Sequence, residues 1–200
     1  MKGDIRKLAE FVKLTPAINQ TRLKQAGNMN EIQLYDQRLF EKDFLIDTEP
    51  NQILFGGIAK ADAKVLNGDV VINQMKQAAA IVSANNSGKV LSMNFIKVDF
   101  LNEDLDKRYF VYLFNANREV ARQKEREIQG TAAVLKMPIR SIEQIKIPYL
   151  DLEEQQKIGL TYKRMLSMKK KYEDLARNKE LLTLEILERK IRIGRESINE

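Results

Sequence analysis

The sequence predicts an α+β protein: a globular part holding a small twisted, mixed or antiparallel sheet with helices, then one long C-terminal coiled-coil helix. Three observations carry that class. Short apolar runs at residues 32–35, 52–55, 70–73, 79–82 and 94–98 are separated by the turn signals Gly56-Gly57, Asn67-Gly68-Asp69 and Asn85-Asn86-Ser87-Gly88-Lys89, as in a sheet of short strands. From Asp104 the period lengthens, with Leu105, Tyr109, Tyr112, Leu113 and Ala116 on one helical stripe. Beyond Pro148 no proline occurs and no glycine before Gly159.

Taken in order, the opening MKGDIRKLAEFVKL places Ile5, Leu8, Phe11 and Val12 near helical spacing, or forms a short helix leading into a strand. Residues 15–30 are polar and turn-rich and read as a loop. The strand-like runs follow, then the helix from Asp104, then a polar helix over 118–128 that stops at Gln129-Gly130. Two further strand-like pieces, 134–137 and 142–147, bring the sheet to its end at Pro148.

The last helix has a start signal. Asp151 is placed as its N-cap, and Glu154 stands three residues on, as in a capping box. Glu153 and Glu154 occupy the first turn, where the helix dipole favours negative charge. A heptad register runs through Ile158, Thr161, Met165, Met168, Tyr172, Leu175, Lys179, Leu182, Ile186, Arg189 and Ile193. Its apolar members, Ile158, Met165, Met168, Tyr172, Leu175, Leu182, Ile186 and Ile193, form a coiled-coil seam interrupted by Thr161, Lys179 and Arg189. Gly159 weakens the pattern further. A helix over 153–193 is about 60 Å long, too long to lie wholly on a domain of roughly 150 residues. It projects, and its seam needs another helix. The division expected is 1–150 for the globular domain and 151–200 for the helix.

Composition excludes several classes. The chain of 200 residues has no cysteine and no histidine, so thiol chemistry, Cys/His zinc sites and histidine bases are absent. The charge is +6 with pI near 9.4, which favours a polyanionic partner without specifying a fold. The surplus is spread out: residues 1–150 carry 22 basic and 18 acidic side chains (+4), and 151–200 carry 12 and 10 (+2). No export signal and no membrane span is expected, so the expected location is cytoplasmic.

No phosphate-cradling loop and no Gly-x-Gly-x-x-Gly is present; Gly56-Gly57 alone is a turn signal. Glu103, Asp104 and Asp106 read as a solvated helix start, and no enzyme is expected. Polar recognition chemistry remains. Gln74, Lys76 and Gln77 follow a strand, and such side chains suit reading base edges. Gln20, Arg22, Lys24, Gln25, Asn28 and Asn30 form a second polar-basic loop. Arg122, Lys124, Arg126 and Gln129 line a third region suited to phosphates. Each taken alone is also compatible with an ordinary solvated loop.

A resemblance joins these pieces. Gly130-Thr131, Leu135, Ile142 and Ile145-Lys146-Ile147-Pro148 lead into Leu152-Glu153-Glu154-Gln155-Gln156-Lys157-Ile158. Upstream stand Lys7-Leu8-Ala9-Glu10-Phe11-Val12 and Leu66-Asn67-Gly68-Asp69-Val70-Val71. This series resembles the specificity (S) subunit of Type I restriction–modification systems. Such a subunit carries two recognition domains in tandem, each with a long helix; this sequence shows one unit and looks like half of one.

The resemblance implies a target recognition domain that reads one half of a split site in double-stranded DNA, with Thr131 joining the contact residues. It implies a helix that sets spacing, pairs with a second copy and holds partners. No cofactor is implied for this chain; S-adenosylmethionine belongs to the partner modification (methyltransferase) subunit, and a restriction subunit is a further partner. The alternative is an S-like regulatory protein that binds modification subunits or another S subunit through its coiled coil without reading DNA.

Overall fold

The structure is a computed structural model and describes residues 4–17, 33–46, 64–127, 129–131 and 134–196. Strand β1 (Asp4–Lys7) meets a single 3-10 turn (Leu8–Glu10) before β2 (Val12–Pro16). The opening is therefore strand, short turn and strand. Leu8, Phe11 and Val12 are buried on both sides of the turn, which gave their spacing its helical look.

The central sheet has four strands, β2, β4 (Val70–Asn73), β5 (Ala78–Ile81) and β7 (Phe95–Phe100), in the order β2-β7-β4-β5 and antiparallel throughout. Its registers set Val70 opposite Ile81 and Val98, and Leu14 opposite Val98. Successive strand side chains point to opposite faces. Val70 and Ile72 enter the main core, whereas Val71 enters a second core with Tyr35, Phe40, Val65 and Phe95. Both faces are covered, so Val70, Val71 and Ile72 of β4 are apolar in succession without alternation.

Helix α1 (Gln37–Leu45) covers the second face, beside β3 (Leu34–Tyr35), which pairs in parallel with β6 (Val90–Leu91). Helix α2 (Lys107–Ala116) covers the first face with Tyr109, Phe110, Leu113 and Phe114 buried, and α3 (Arg118–Glu127) follows. Strands β8 (Gln129–Thr131) and β9 (Val134–Lys136) form a hairpin.

The expected strand over 142–147 is corrected. Residues 139–143 form the short helix α4 (Ile139–Glu143), entered through Pro138 and closed at Gln144. Ile142 and Ile145 bury by helical spacing of three, and the strand β10 (Lys146–Tyr149) begins only afterwards. Nor does the sheet section stop at Pro148, which lies inside β10 opposite Ile5 of β1. Proline is tolerated there because β10 is an outer strand of a two-stranded sheet.

The final helix α5 runs Leu152–Glu196, 45 residues, about 67 Å. Asp151 Oδ1 accepts the Glu154 backbone N–H at 2.9 Å, the expected N-cap bond. No described helix is long and apolar enough to cross a membrane.

Candidate nucleic-acid interface and helix seam

The loop Gln74–Gln77 closes the β4–β5 hairpin and is fixed from below. The fully buried Asn73 accepts the N–H groups of Met75 (2.9 Å) and Lys76 (3.0 Å) on Oδ1, and donates through Nδ2 to Gln37. This is a side-chain turn of the kind asparagine favours. Gln77 holds a left-handed φ of 50°, an uncommon conformation for a residue with a Cβ. Its carbonyl accepts from Lys124 Nζ at 2.9 Å. Gln74 and Gln77 are half-buried, and only Met75 and Lys76 stand out into solvent.

Lys76 and Lys124 have partners within the chain. Lys76 pairs with Glu41 at 2.6 Å, and the Lys76 and Gln37 hydrogen bonds lower the Glu41 carboxyl below its usual range. Lys124 is buried; it donates to the carbonyls of Gln77 and of Phe114 (2.6 Å) and lies 4.4 Å from the centre of the Phe114 ring. Burial without a carboxylate partner pulls its ammonium down to about 8. Lys124 thus clamps the hairpin loop to α2 and α3, and its expected place among phosphate contacts is corrected by that burial. Arg122 pairs with Glu119 on its own helix at 2.7 Å.

Arg126 lies elsewhere, on an open groove of about 760 Å³ with Arg140, Lys146, Glu119, Glu127 and Ile5. Gln123 closes one side of that groove: it accepts the Lys146 N–H at 2.7 Å and donates to the Lys146 carbonyl at 2.8 Å. A side chain here satisfies the free edge of β10. Gln129 and Thr131 lie on β8, opposite Lys136 and Val134. Arg22 and Lys24, with the rest of residues 18–32, lie outside the described residues, as does the expected strand at 52–55. The structure therefore gathers Gln74, Lys76 and Gln77 on one loop and sets Arg126 on a separate face.

The start of α5 is built tightly onto the domain. Gln155 is fully buried; its Oε1 accepts the Asp106 N–H at 2.9 Å, and its Nε2 donates to the Asp104 and Leu150 carbonyls, both at 2.9 Å. One turn on, a Cβ on Gly159 would stand 2.5 Å from the Tyr109 nitrogen. Lys163, also fully buried, donates to the Asp43 (3.4 Å) and Phe44 (3.2 Å) carbonyls at the end of α1, where the helix dipole favours a cation. Tyr162 and Leu166 complete this face in the main core. Gln155, Gly159, Tyr162, Lys163 and Leu166 recur at helical spacing. A search for apolar heptads passes over them because three of the five are not apolar.

Two further cations serve the fold, the buried Lys107 and the largely covered Lys97. Lys107 Nζ donates to the Gly68 carbonyl at 2.8 Å, and burial lowers its ammonium. Lys97 pairs with Asp69 at 2.9 Å, while Asp69 also accepts the Leu66 N–H. Gly68 itself holds φ 81°, so the Leu66–Asp69 stretch is a turn that launches β4.

The seam divides in two. Ile158 packs partly against the domain core. Met165, Met168, Tyr172, Leu175, Leu182, Ile186 and Ile193 are all 48–65% exposed, and from Ser167 to Ile193 no side chain of α5 is buried. A second stripe went unread in the sequence: Leu181, Leu184, Leu187 and Ile191, also about half exposed, lie on the far side of the helix from Leu182 and Ile186.

No family model matches this sequence, and no curated protein matches it. Among solved structures, the fold is similar to the S subunit of a Type I restriction-modification system from M. genitalium, with TM-score 0.47 and 12% identity over 79% of this chain and 37% of that one. It is similar also to the HsdS subunit from Thermoanaerobacter tengcongensis, with TM-score 0.47 and 12% identity over 84% and 38%. A third, from work on assembly and conformational transition of the type I R-M system, gives 0.45 and 12% over 84% and 39%. The chain spans less than two fifths of each of those structures.

Proposed function

We propose that this chain is a non-catalytic DNA-recognition unit of the Type I specificity kind, half the length of a tandem subunit. Residues 1–150 read one half of a split duplex site. Residues 151–200 pair with a second copy, set the spacing between the two recognition domains and position methyltransferase and restriction subunits. A two-fold pair of identical domains reads a palindromic split site, because protein symmetry is mirrored in the DNA.

One observation carries this reading: α5 is seated on the domain at its base and carries an exposed apolar seam beyond it. Gln155, Gly159 and Lys163 fix its direction on the domain, and no side chain from Ser167 to Ile193 is buried. Burying a side chain such as Leu175 stabilises by about 1.5–3 kcal/mol. Half that gain, taken over six seam residues on each of two helices, is on the order of 10 kcal/mol. That is comparable with the cost of association, about 4–15 kcal/mol. The stripe of Leu181, Leu184, Leu187 and Ile191 leaves a second face for a partner subunit. The last of the sequence elements quoted above for the S-subunit resemblance, Leu152–Ile158, contains Gln155 and runs into this mount.

A second reading has its own support. Lys76 is engaged by Glu41 and Lys124 is buried, so these two cations already serve the fold. That favours an S-like regulatory protein acting through its helix without reading DNA. Co-expression with a Type I modification subunit, followed by mapping of methylated adenines, separates the two. A new split motif supports the recognition unit; a stable complex with no methylation supports the regulator.

A further inference from the structure

We propose that Glu41, Lys76 and the apolar recess beside them read one adenine–thymine base pair in the major groove. Glu41 accepts from the adenine amine, Lys76 donates to the neighbouring thymine carbonyl, and the recess takes the thymine methyl. The proposal deepens the DNA-recognition reading above and rests on it.

The site is assembled from two elements that only the fold brings together. Glu41 stands on α1 and Lys76 on the β4–β5 loop, 35 residues away. The fully buried Asn73 ties them: its Oδ1 accepts the Lys76 N–H at 3.0 Å, and its Nδ2 donates to Gln37. Gln37 in turn donates to Glu41 Oε1 at 2.8 Å, and Lys76 Nζ closes the ring on that same oxygen at 2.6 Å. Both charged side chains remain about half exposed, and an ion pair so exposed adds little stability.

The ring aims an acceptor. Both of these donors fall on Oε1, and among the described residues none donates to Oε2. Glu41 is therefore held by one oxygen and open at the other. The same bonds lower its carboxyl and keep it ionised, so it accepts and does not donate. The base groups that donate in the major groove are the amines of adenine and cytosine. A bare carboxylate is repelled by the phosphates around it; Lys76 cancels that charge and sets donors beside the acceptor.

The recess separates the two amines. It is open, about 450 Å³ in volume, and lined by Phe40, Phe44, Leu45 and Ala78 together with Glu41 and Lys76. An amine adjoins a carbonyl in both kinds of base pair, so the Glu41–Lys76 pair alone accepts either. Thymine adds a C5 methyl next to its carbonyl, whereas a guanine–cytosine pair presents no methyl. An apolar wall beside the charged pair is matched by the thymine methyl.

Selection of randomised duplexes by the full chain, followed by fluorescence anisotropy on the selected site, tests the assignment. In Glu41→Ala, one adenine–thymine position is expected to lose about tenfold in discrimination while the other positions keep theirs. Uracil in place of that thymine weakens binding of the parent about fourfold, and this measurement needs no variant to fold. Unchanged preferences in Glu41→Ala, a loss at a guanine–cytosine position, or indifference to uracil overturns the assignment alone. So does an equal gain of affinity for every sequence in Glu41→Ala, which makes Lys76 a phosphate contact. A parent chain that selects no sequence overturns the assignment together with the DNA-recognition reading.

Discussion

Gly159 of the long helix lies against the backbone of Tyr109: a Cβ at Gly159 would stand 2.5 Å from the Tyr109 nitrogen and 2.7 Å from the Arg108 carbonyl carbon. Two helices meet backbone to backbone there, at the first turn of α2, where Asp106 accepts the Tyr109 N–H at 2.8 Å. Neither backbone can move aside without disturbing the cap.

Gly159→Ala is therefore expected to destabilise the protein, although alanine is the better helix former. Overpacking of this kind costs about 1–3 kcal/mol. Urea denaturation checks it. A variant as stable as the parent would show that α5 is not seated this closely.

Gln155→Leu should cost as much or more. It keeps the volume and strands the Asp106 N–H together with the Asp104 and Leu150 carbonyls. An unsatisfied buried group costs about 1–3 kcal/mol. Gln155→Glu cannot restore the two donated bonds, so equilibrium unfolding should place it below the parent as well.

Lys124 gives a pH dependence of known sign. Burial lowers its pKa from 10.5 to about 8, so between those values the unfolded chain binds more protons than the folded one. Stability from this group is absent below about pH 8 and is gained as pH rises toward 10.5. The difference in unfolding free energy between the parent and Lys124→Met should shift in the parent's favour by on the order of 2–3 kcal/mol over that window. Denaturant titrations of both proteins at pH 7.5 and 10 measure it, and an unchanged difference would count against a buried ammonium.

Leu175→Glu and Leu182→Glu together are expected to abolish self-association and leave the melting of the globular part unchanged. Both side chains are at least half exposed within one copy. Light scattering alongside thermal denaturation separates the two effects.

Lys76 can be tested through its partner. If it contacts phosphate, Glu41→Gln releases it from the 2.6 Å ion pair and DNA affinity should rise severalfold, while Lys76→Ala weakens binding and lowers the salt slope by about one. If its role is the ion pair alone, both variants bind DNA as the parent does. Fluorescence anisotropy at two salt concentrations reads this directly.

Local signals were well legible. The alternation of apolar runs with Gly- and Asn-rich turns gave the sheet strands at 70–73, 78–81 and 95–100, and the shift to a helical stripe gave α2. Asp151 was readable as an N-cap because capping involves residues three apart. Residues 142–147 misled because Ile142, Ile145 and Ile147 are all buried across a helix–strand junction, and spacing alone does not separate the two forms. The candidate loop Gln74–Gln77 was visible as polar residues after a strand. That Lys76 meets Glu41 and Lys124 meets Gln77 was not, since those partners are 35 and 47 residues away.

By itself the sequence determined the fold class, the absence of cysteine and histidine chemistry, the start of the long helix and the apolar seam along it. Each is set by composition or by contacts within a few residues. Tertiary structure alone decided which face of α5 belongs to the domain and which is left for a partner. Gly159 reads as a flaw in a heptad and Lys163 as a solvated cation until α2 and α1 are brought against them. The reason is physical: whether a glycine permits contact or a lysine is buried depends on what approaches it from distant segments, and no local periodicity encodes that approach.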